Sequence, residues 1–152
     1  MSIDRDLIKL NSAMTQLMRA IRSVDESSGV GRARLSALAV LHFGGPCSPT
    51  ELAKQEMVSR VTMHHIIVGL ENDGLVKRTP DALDARRQSI ALTRQGKATI
   101  TKAHTARIEF LRTLADKTAA GELKIAANVL SDLRDSAKAE DTSSKRVEQR
   151  LR

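Results

Sequence analysis

The sequence has few of the residues that build stacking surfaces, disulfide frameworks or membrane spans. It contains no Trp and no Tyr, and Phe43 and Phe110 are its two phenylalanines, so an aromatic platform for single-stranded nucleic acid is not expected. One cysteine, Cys47, permits no internal disulfide and suits a reducing compartment. No apolar run approaches the ~20 residues of a membrane helix, and no signal-peptide pattern follows Met1. These absences predict a cytoplasmic protein.

The sequence also lacks the motifs of common enzyme sites. It has no Gly-rich phosphate loop, no nucleophile elbow and no cluster of residues with metal-ligand spacing. His64 and His65 are adjacent, and adjacent helical residues point about 100° apart, so they do not converge on one ion as an i, i+4 pair does. We therefore expect no enzymatic activity, no cofactor and no metal.

An excess of positive charge is present instead. The 152 residues include 25 Lys and Arg against 18 Asp and Glu, for a net charge of +7. Such an excess favours a polyanionic partner such as nucleic acid, although charge alone also fits a basic protein of another function. The length allows one domain together with an oligomerising element.

Two capped helices are predicted in the middle of the chain. Residues 48–51, Ser-Pro-Thr-Glu, form a capping box with proline at the first helical position. Ser59 precedes a second helical pattern that ends at Gly74, a residue suited to the left-handed position after a helix. Its expected apolar face consists of Val61, Ile66, Ile67 and Leu70. Because few residues separate the two helices, the pattern indicates a helix-turn-helix; a plain helical hairpin is the alternative.

The second helix begins with residues that its own core does not need. A recognition helix presents its first residues to base edges in the major groove, and its free N–H groups favour phosphate. The candidate DNA contacts at this helix are Ser59, Arg60, Thr62, Met63, His64 and His65. Arg60 is expected to contact phosphate, and Thr62, Met63, His64 and His65 are expected to set base preference.

A β-hairpin with a basic tip is predicted directly after this helix. Residues 75–79 and 88–92 have strand patterns, and residues 80–87 between them are charged and turn-rich. An arginine at such a tip can enter a narrow minor groove or bind a phosphate. The candidate contacts here are Arg78, Arg86 and Arg87; the alternative is a charged loop that only meets solvent.

In this order and spacing, the motifs resemble those of the MarR family of winged helix-turn-helix transcription regulators. The resemblance rests on Gly45-Pro46, Glu51-Leu52-Ala53, Ser59-Arg60-x-Thr62-Met63, Leu70-Glu71-x-x-Gly74-Leu75-Val76-x-Arg78, Asp84-Ala85-Arg86-Arg87 and Leu92-Thr93-x-x-Gly96. It implies that Asp84 structures the wing by holding its arginine and that Arg86 contacts DNA. The sequence departs from the family at His64, His65 and Gly69, where a small polar residue, an arginine and a basic residue are common.

Helical patterns flank this central segment. An amphipathic helix is predicted over residues 4–24, a long helix after Thr93, and another from Thr118. By the resemblance, the first and last helices of two chains form a dimerisation domain. We therefore expect a mainly α protein with a small β-hairpin, in which residues 1–30 and 98–137 form the dimerisation helices and residues 31–97 the winged helix-turn-helix DNA-binding domain. Residues 138–152, charged and rich in Ser and Thr, are expected to be a frayed or disordered tail.

The resemblance implies a homodimeric, sequence-specific regulator of transcription that binds double-stranded DNA, and we expect a repressor associated with a bacterial or archaeal nucleoid. Two subunits would read an inverted repeat with half-sites about one helical turn apart. A small, often aromatic, effector would bind between the two parts of each subunit and release DNA. The alternative is a winged-helix module for protein–protein contact without operator binding.

The single thiol has two interpretations. Some members of the family sense peroxide through cysteine, and the helix start beside Cys47 could lower the pKa of its thiol. The sensing cysteines usually lie in the first helix near tyrosines, which this sequence lacks. A structural thiol is therefore the expectation.

Overall fold

The computed structural model describes residues 3–80, 82–84 and 86–150, with side chains as far as residue 140. Within these residues the chain forms six helices and two strands. In chain order they are α1 (Ile3–Glu26), α2 (Arg32–Gly44), α3 (Pro49–Gln55), α4 (Arg60–Asn72), β1 (Val76–Pro80), β2 (Gln88–Leu92), α5 (Arg94–Leu114) and α6 (Ala120–Arg150). The expected mainly α fold with a small β-hairpin is confirmed.

The chain divides into two compact units, Met1–Arg112 and Thr113–Arg152. The first contains α1 to α4, the hairpin and most of α5, and the second contains the end of α5 and α6. The narrower DNA-binding domain expected at residues 31–97 and the dimerisation helices expected on both sides of it stay predictions.

The core of the first unit lies where α2, α3, α4 and the hairpin meet. Its largest fully buried side chains are Leu38, Leu52, Met63, Ile67, Leu70 and Ile90. Burying one such side chain contributes about 2 kcal/mol, so this cluster fixes the position of α4 against the helices beside it.

Both predicted N-caps are present. The Ser48 hydroxyl accepts a hydrogen bond from the backbone N–H of Glu51 at 3.2 Å, and the Ser59 hydroxyl accepts one from that of Thr62 at 3.0 Å. Gly74 ends α4 with φ of 69°, the left-handed conformation that glycine adopts without a steric penalty. These local signals make α3 and α4 separate helices with a short connection.

The hairpin is antiparallel, and Cys47 pairs with the middle of its second strand. Val76 pairs with Leu92, and Pro80 pairs with Gln88. Before α3, Cys47 forms a bridge to β2: its N–H donates to the Ile90 carbonyl at 3.3 Å, and the Ile90 N–H donates to the Cys47 carbonyl at 2.8 Å. After β2, Thr93 precedes the predicted long helix and caps it, since its hydroxyl accepts the Gly96 N–H at 2.9 Å.

The predicted apolar face of α4 is wrong at one position. Val61, assigned to that face, has 68% of its surface exposed, whereas Met63 is completely buried. The buried residues Met63, Ile67 and Leu70 follow the i, i+4, i+7 spacing of one helix face. The helix carries a second apolar stripe that includes Val61, and packing against α2 and α3 selects the stripe of Met63.

The predicted tail is also corrected. The sequence indicates fraying over residues 138–152, whereas the backbone of α6 stays helical to Arg150. The physical reason is that this segment contains Lys, Ala, Glu, Arg and Gln, all with high helix propensity. Residues 151 and 152 lie outside the described part of the chain.

Candidate nucleic-acid interface

The outer face of α4 offers a mixed polar and apolar surface. Val61, His65 and Val68 are exposed at i, i+4 and i+7, on the side of the helix away from Met63. Of the sequence-predicted contacts on this helix, Ser59, Arg60, Thr62, His64 and His65 are exposed. Met63 is not: its complete burial excludes contact with a base, and the prediction for it is wrong. Val61, which was predicted to lie in the core, is exposed on the outer surface instead of Met63.

Ser59 has a structural part in this surface. Besides capping α4, its Oγ lies 2.8 Å from Oγ1 of Thr62. The two hydroxyls are therefore hydrogen-bonded to each other at the start of the helix, next to Val61.

On one side of this face, an ion pair joins α4 to β1. Arg78 donates from Nε to Oε1 of Glu71 at 3.0 Å and from Nη2 to Oε2 at 3.3 Å. Two parallel hydrogen bonds of this kind fix a guanidinium in its plane. A third of the Arg78 side chain, 33%, remains exposed, and its predicted contact with phosphate stays a prediction.

On the opposite side, Arg34 of α2 lies against Gly69 of α4. A Cβ built at Gly69 would lie 2.3 Å from Nη2 of Arg34, so glycine leaves room for the guanidinium. Arg34 Nη1 donates to Oδ2 of Asp73 at 2.5 Å, which ties α2 to the end of α4. Arg34 was not among the predicted residues, although a glycine inside a helix, such as Gly69, often marks close packing.

The tip of the hairpin is arranged around Asp84. Its Oδ1 accepts the backbone N–H of Arg86 at 3.0 Å, and its carbonyl accepts that of Arg87 at 2.9 Å. The Arg86 Nε lies 3.6 Å from Asp84 Oδ1, and 95% of the Arg86 side chain is exposed. An exposed ion pair of this kind contributes little stability, so the guanidinium can exchange it for another anion. The roles assigned to Asp84, Arg86 and Arg87 stay predictions.

A cavity lies within the first unit, away from α4. This cavity of about 360 Å³ is lined by Met18, Asp25, Arg32, Ala33, Leu35, Ser36, Ala39, Glu56, Ile100, Ala103, His104 and Arg107. Asp25 is 3% exposed, and Arg107 donates to both of its oxygens, from Nη2 at 2.6 Å to each. The bidentate pair links α1 to α5 across the wall of the cavity. The volume of the cavity lies in the range of small-molecule sites.

Cys47 does not have the environment of an activated thiol. Partial burial raises the pKa of its thiol, and the negative charge of Glu51 raises it further. The direction is opposite to the lowering that a helix start can produce. Whether the thiol responds to oxidants stays a prediction.

Among the described residues, no three His, Cys, Asp or Glu side chains cluster as a metal site. None of the helices in the described ranges is long and apolar enough to cross a membrane.

Comparison with known proteins identifies the family. The MarR family profile matches residues 28–87, which contain α2 to β1 and the wing tip. An uncharacterized HTH-type transcriptional regulator of Mycobacterium bovis is 33% identical over 102 residues, covering 67% of this chain and 71% of that protein. The chain belongs to the MarR family. This MarR protein is a winged helix-turn-helix transcription regulator of the DNA-binding class, and its relatives are regulators rather than enzymes.

Two further similarities involve a shorter segment of the chain and a solved structure. The HTH-type transcriptional repressor YetL of Bacillus subtilis is 47% identical over 51 residues, covering 34% of the MarR chain and 30% of the repressor. The crystal structure of NadR in complex with 4-hydroxyphenylacetate matches with a TM-score of 0.69 and 22% identity, over 88% of this chain and 93% of that one. The second similarity establishes the shared fold.

Proposed function

We propose that this MarR protein is a homodimeric repressor that reads an inverted repeat in double-stranded DNA. The observation that carries the proposal is the pairing of two exposed elements in one unit: the outer face of α4 and the wing tip with Arg86. A helix that enters a major groove and a basic tip that enters the neighbouring minor groove are the two contacts such a surface supports.

The residues divide into base contacts and phosphate contacts. Thr62 and His65 can hydrogen-bond to base edges, and the Val61 methyl groups can contact the methyl group of thymine. Arg60, Arg78 and Arg87 would bind phosphate, which sets affinity and its salt dependence but carries little sequence information. Arg86 would replace its 3.6 Å contact with Asp84 by contacts in the minor groove, where the potential is most negative.

The apolar surface of α1 supports the homodimer. Four apolar side chains form one stripe along the helix, and each is between 41% and 51% exposed: Leu7, Met14, Leu17 and Met18. In the second unit, α6 exposes Leu123, Ile125, Val129, Leu130 and Leu133. Several exposed apolar side chains on one helix mark a surface that another protein covers. A second copy of the chain is the proposed partner, through α1 and α6.

The proposed effector is a small aromatic molecule bound in the 360 Å³ cavity. Its wall offers Arg32, His104 and Arg107 as donors beside apolar residues such as Leu35 and Ile100, which fits a ring that carries a polar or anionic group. NadR, with the same fold, was crystallised with 4-hydroxyphenylacetate. An effector that prefers a different spacing of the two α4 helices would release the operator.

A mobility-shift assay tests this function against a protein–protein module with the same fold. The probe is the duplex upstream of the protein's own gene, with an excess of unrelated duplex as competitor. A repressor of this class forms a discrete complex that resists the competitor. A complex that the competitor removes completely would contradict sequence-specific binding and favour the module.

A further inference from the structure

A shallow groove of about 160 Å³ lies beside the exposed face of α4. It is lined by Pro49 and Thr50 of α3, Arg60, His64 and Ile67 of α4, and Arg78 of β1. The groove is distinct from the cavity that contains Asp25 and Arg107, since the two share no lining residue. It lies at the junction of the helix-turn-helix with the first strand of the wing.

Helix geometry explains why these side chains meet. Arg60, His64 and Ile67 are spaced i, i+4 and i+7, so they share one side of α4. Ile67 is completely buried and forms the apolar floor with Pro49. Arg60 and His64, further from the core, form the rim. Thr50 of α3 and Arg78 of β1 complete the lining.

The chemistry of the rim suits a single anion. Arg60 and Arg78 are cations, the Thr50 hydroxyl and a His64 ring N–H are further donors, and all four belong to exposed residues. The acidic groups on the same elements are Glu71, which holds Arg78 at 3.0 Å, and Glu51 in the first turn of α3. Because Glu71 holds Arg78, Arg60 supplies most of the positive charge in the groove, and Thr50 and His64 supply directional hydrogen bonds.

We propose that this groove binds one phosphate of the DNA backbone, held by Arg60, His64 and Thr50. The inference rests on the proposed DNA-binding function and specifies how the protein docks. It changes the role of His64, which sequence analysis placed among the residues that set base preference. His64 sets affinity and the register of α4 on the duplex, and His65 reads bases.

The two adjacent histidines differ in the way the proposal requires. His64 lines the groove and His65 does not, because one residue along a helix turns a side chain by about 100°. Their ring centroids are 5.9 Å apart, with the planes at 66°. His65 shares the outer face with Val61 and Val68, which is the side that faces a major groove when α4 lies in it.

The test compares His64→Ala with His65→Ala on a selected operator, on operators with single base changes and on unrelated duplex. For His64→Ala we expect roughly a fivefold or greater loss of affinity on every duplex, with an unchanged ranking of sequences, because a phosphate contact acts uniformly. His65→Ala should change the ranking. His64→Gln keeps a side-chain donor and should recover most of the affinity. Circular dichroism of each variant confirms the fold.

Two companion variants examine the rest of the groove. Arg60→Ala should lower the slope of log affinity against log salt by about 0.9, as for one phosphate contact. Thr50→Val should weaken every duplex equally. A changed base preference in His64→Ala, or affinities equal to those of the wild type, would overturn the phosphate site.

The outcome for the groove is separable from the outcome for the proposed function. If the wild type binds duplex without selecting any sequence, the proposed operator recognition is contradicted. In that case the phosphate site is tested by measuring affinity for nonspecific duplex. Equal affinities of His64→Ala, Arg60→Ala and the wild type would overturn the site.

Discussion

The first turn of α5 lies directly against the backbone that leads into the wing, at Gly96 and Leu75. A Cβ built on Gly96 would be 1.8 Å from the Leu75 carbonyl oxygen. That carbonyl accepts the Thr93 N–H at 3.1 Å, so it cannot move without losing a hydrogen bond. The contact fixes the start of the wing relative to the helix that follows it.

Gly96→Ala should therefore destabilise the protein strongly. The added methyl group meets backbone rather than a flexible side chain, so we expect a loss of at least about 2 kcal/mol in the free energy of unfolding. Urea denaturation followed by circular dichroism measures it. Gly121→Ala is the matched control, because no atom beyond its chain neighbours and its own helix backbone lies within 4 Å of a Cβ built there. Equal stability of the two variants would contradict the close approach.

Arg86→Ala should weaken operator binding by at least about 1 kcal/mol. The reason is that Arg86, with 95% of its side chain exposed, contributes little to the fold and is placed to reach DNA. Fluorescence anisotropy with a labelled operator measures the affinity. Arg112→Ala removes another exposed arginine, at the end of α5, and should leave the affinity almost unchanged. Undiminished binding by Arg86→Ala would refute the assignment of the wing.

Leu17→Glu should dissociate the dimer. Leu17 belongs to the exposed apolar stripe of α1, and a charge buried without a partner in an interface is strongly unfavourable. Sedimentation velocity should change from a dimer of the 16.6 kDa chain to a monomer. Ser12→Glu, on the opposite face of α1, should stay dimeric. Monomeric wild-type protein, or a dimeric Leu17→Glu variant, would show that the interface is elsewhere.

Operator binding should be insensitive to peroxide through Cys47. Its thiol pKa is raised above the ordinary value of 9.0, so at pH 7 the thiol is protonated and the reactive thiolate is scarce. The rate of reaction with iodoacetamide should still be rising with pH at pH 9, because the thiolate fraction has not reached its plateau there. Cys47→Ser should bind the operator as the wild type does, with or without hydrogen peroxide. Loss of binding that peroxide causes in the wild type alone would identify a sensor.

The elements governed by local chemistry were predictable. Ser48 and Ser59 each cap a helix through a hydrogen bond to a residue three positions away, and Gly74 ends α4, so a short window of sequence contains the whole signal. The order of helices and strands followed from such signals. The conformation of residues 138–150 was not predictable, because polar residues of this composition occur both in disordered segments and in helices.

The rotation of α4 about its axis was not predictable from its own residues. Val61 and Met63 are both apolar, and each belongs to a stripe with helical spacing. The choice between them depends on side chains of α2 and α3 that are distant in sequence. The groove beside His64 depends on the same packing, since it joins residues of three elements. The i, i+4 spacing of Arg60 and His64 indicates only that these two residues share one side of α4.

The most direct test of the account is selection of bound sequences from a pool of random duplex DNA by the wild-type protein. We expect enrichment of an inverted repeat whose half-sites are about one helical turn apart, because two copies of α4 related by a twofold axis read it. Enrichment of a single unrepeated site, or no enrichment at all, would contradict a homodimer that binds an operator through α4 and the wing.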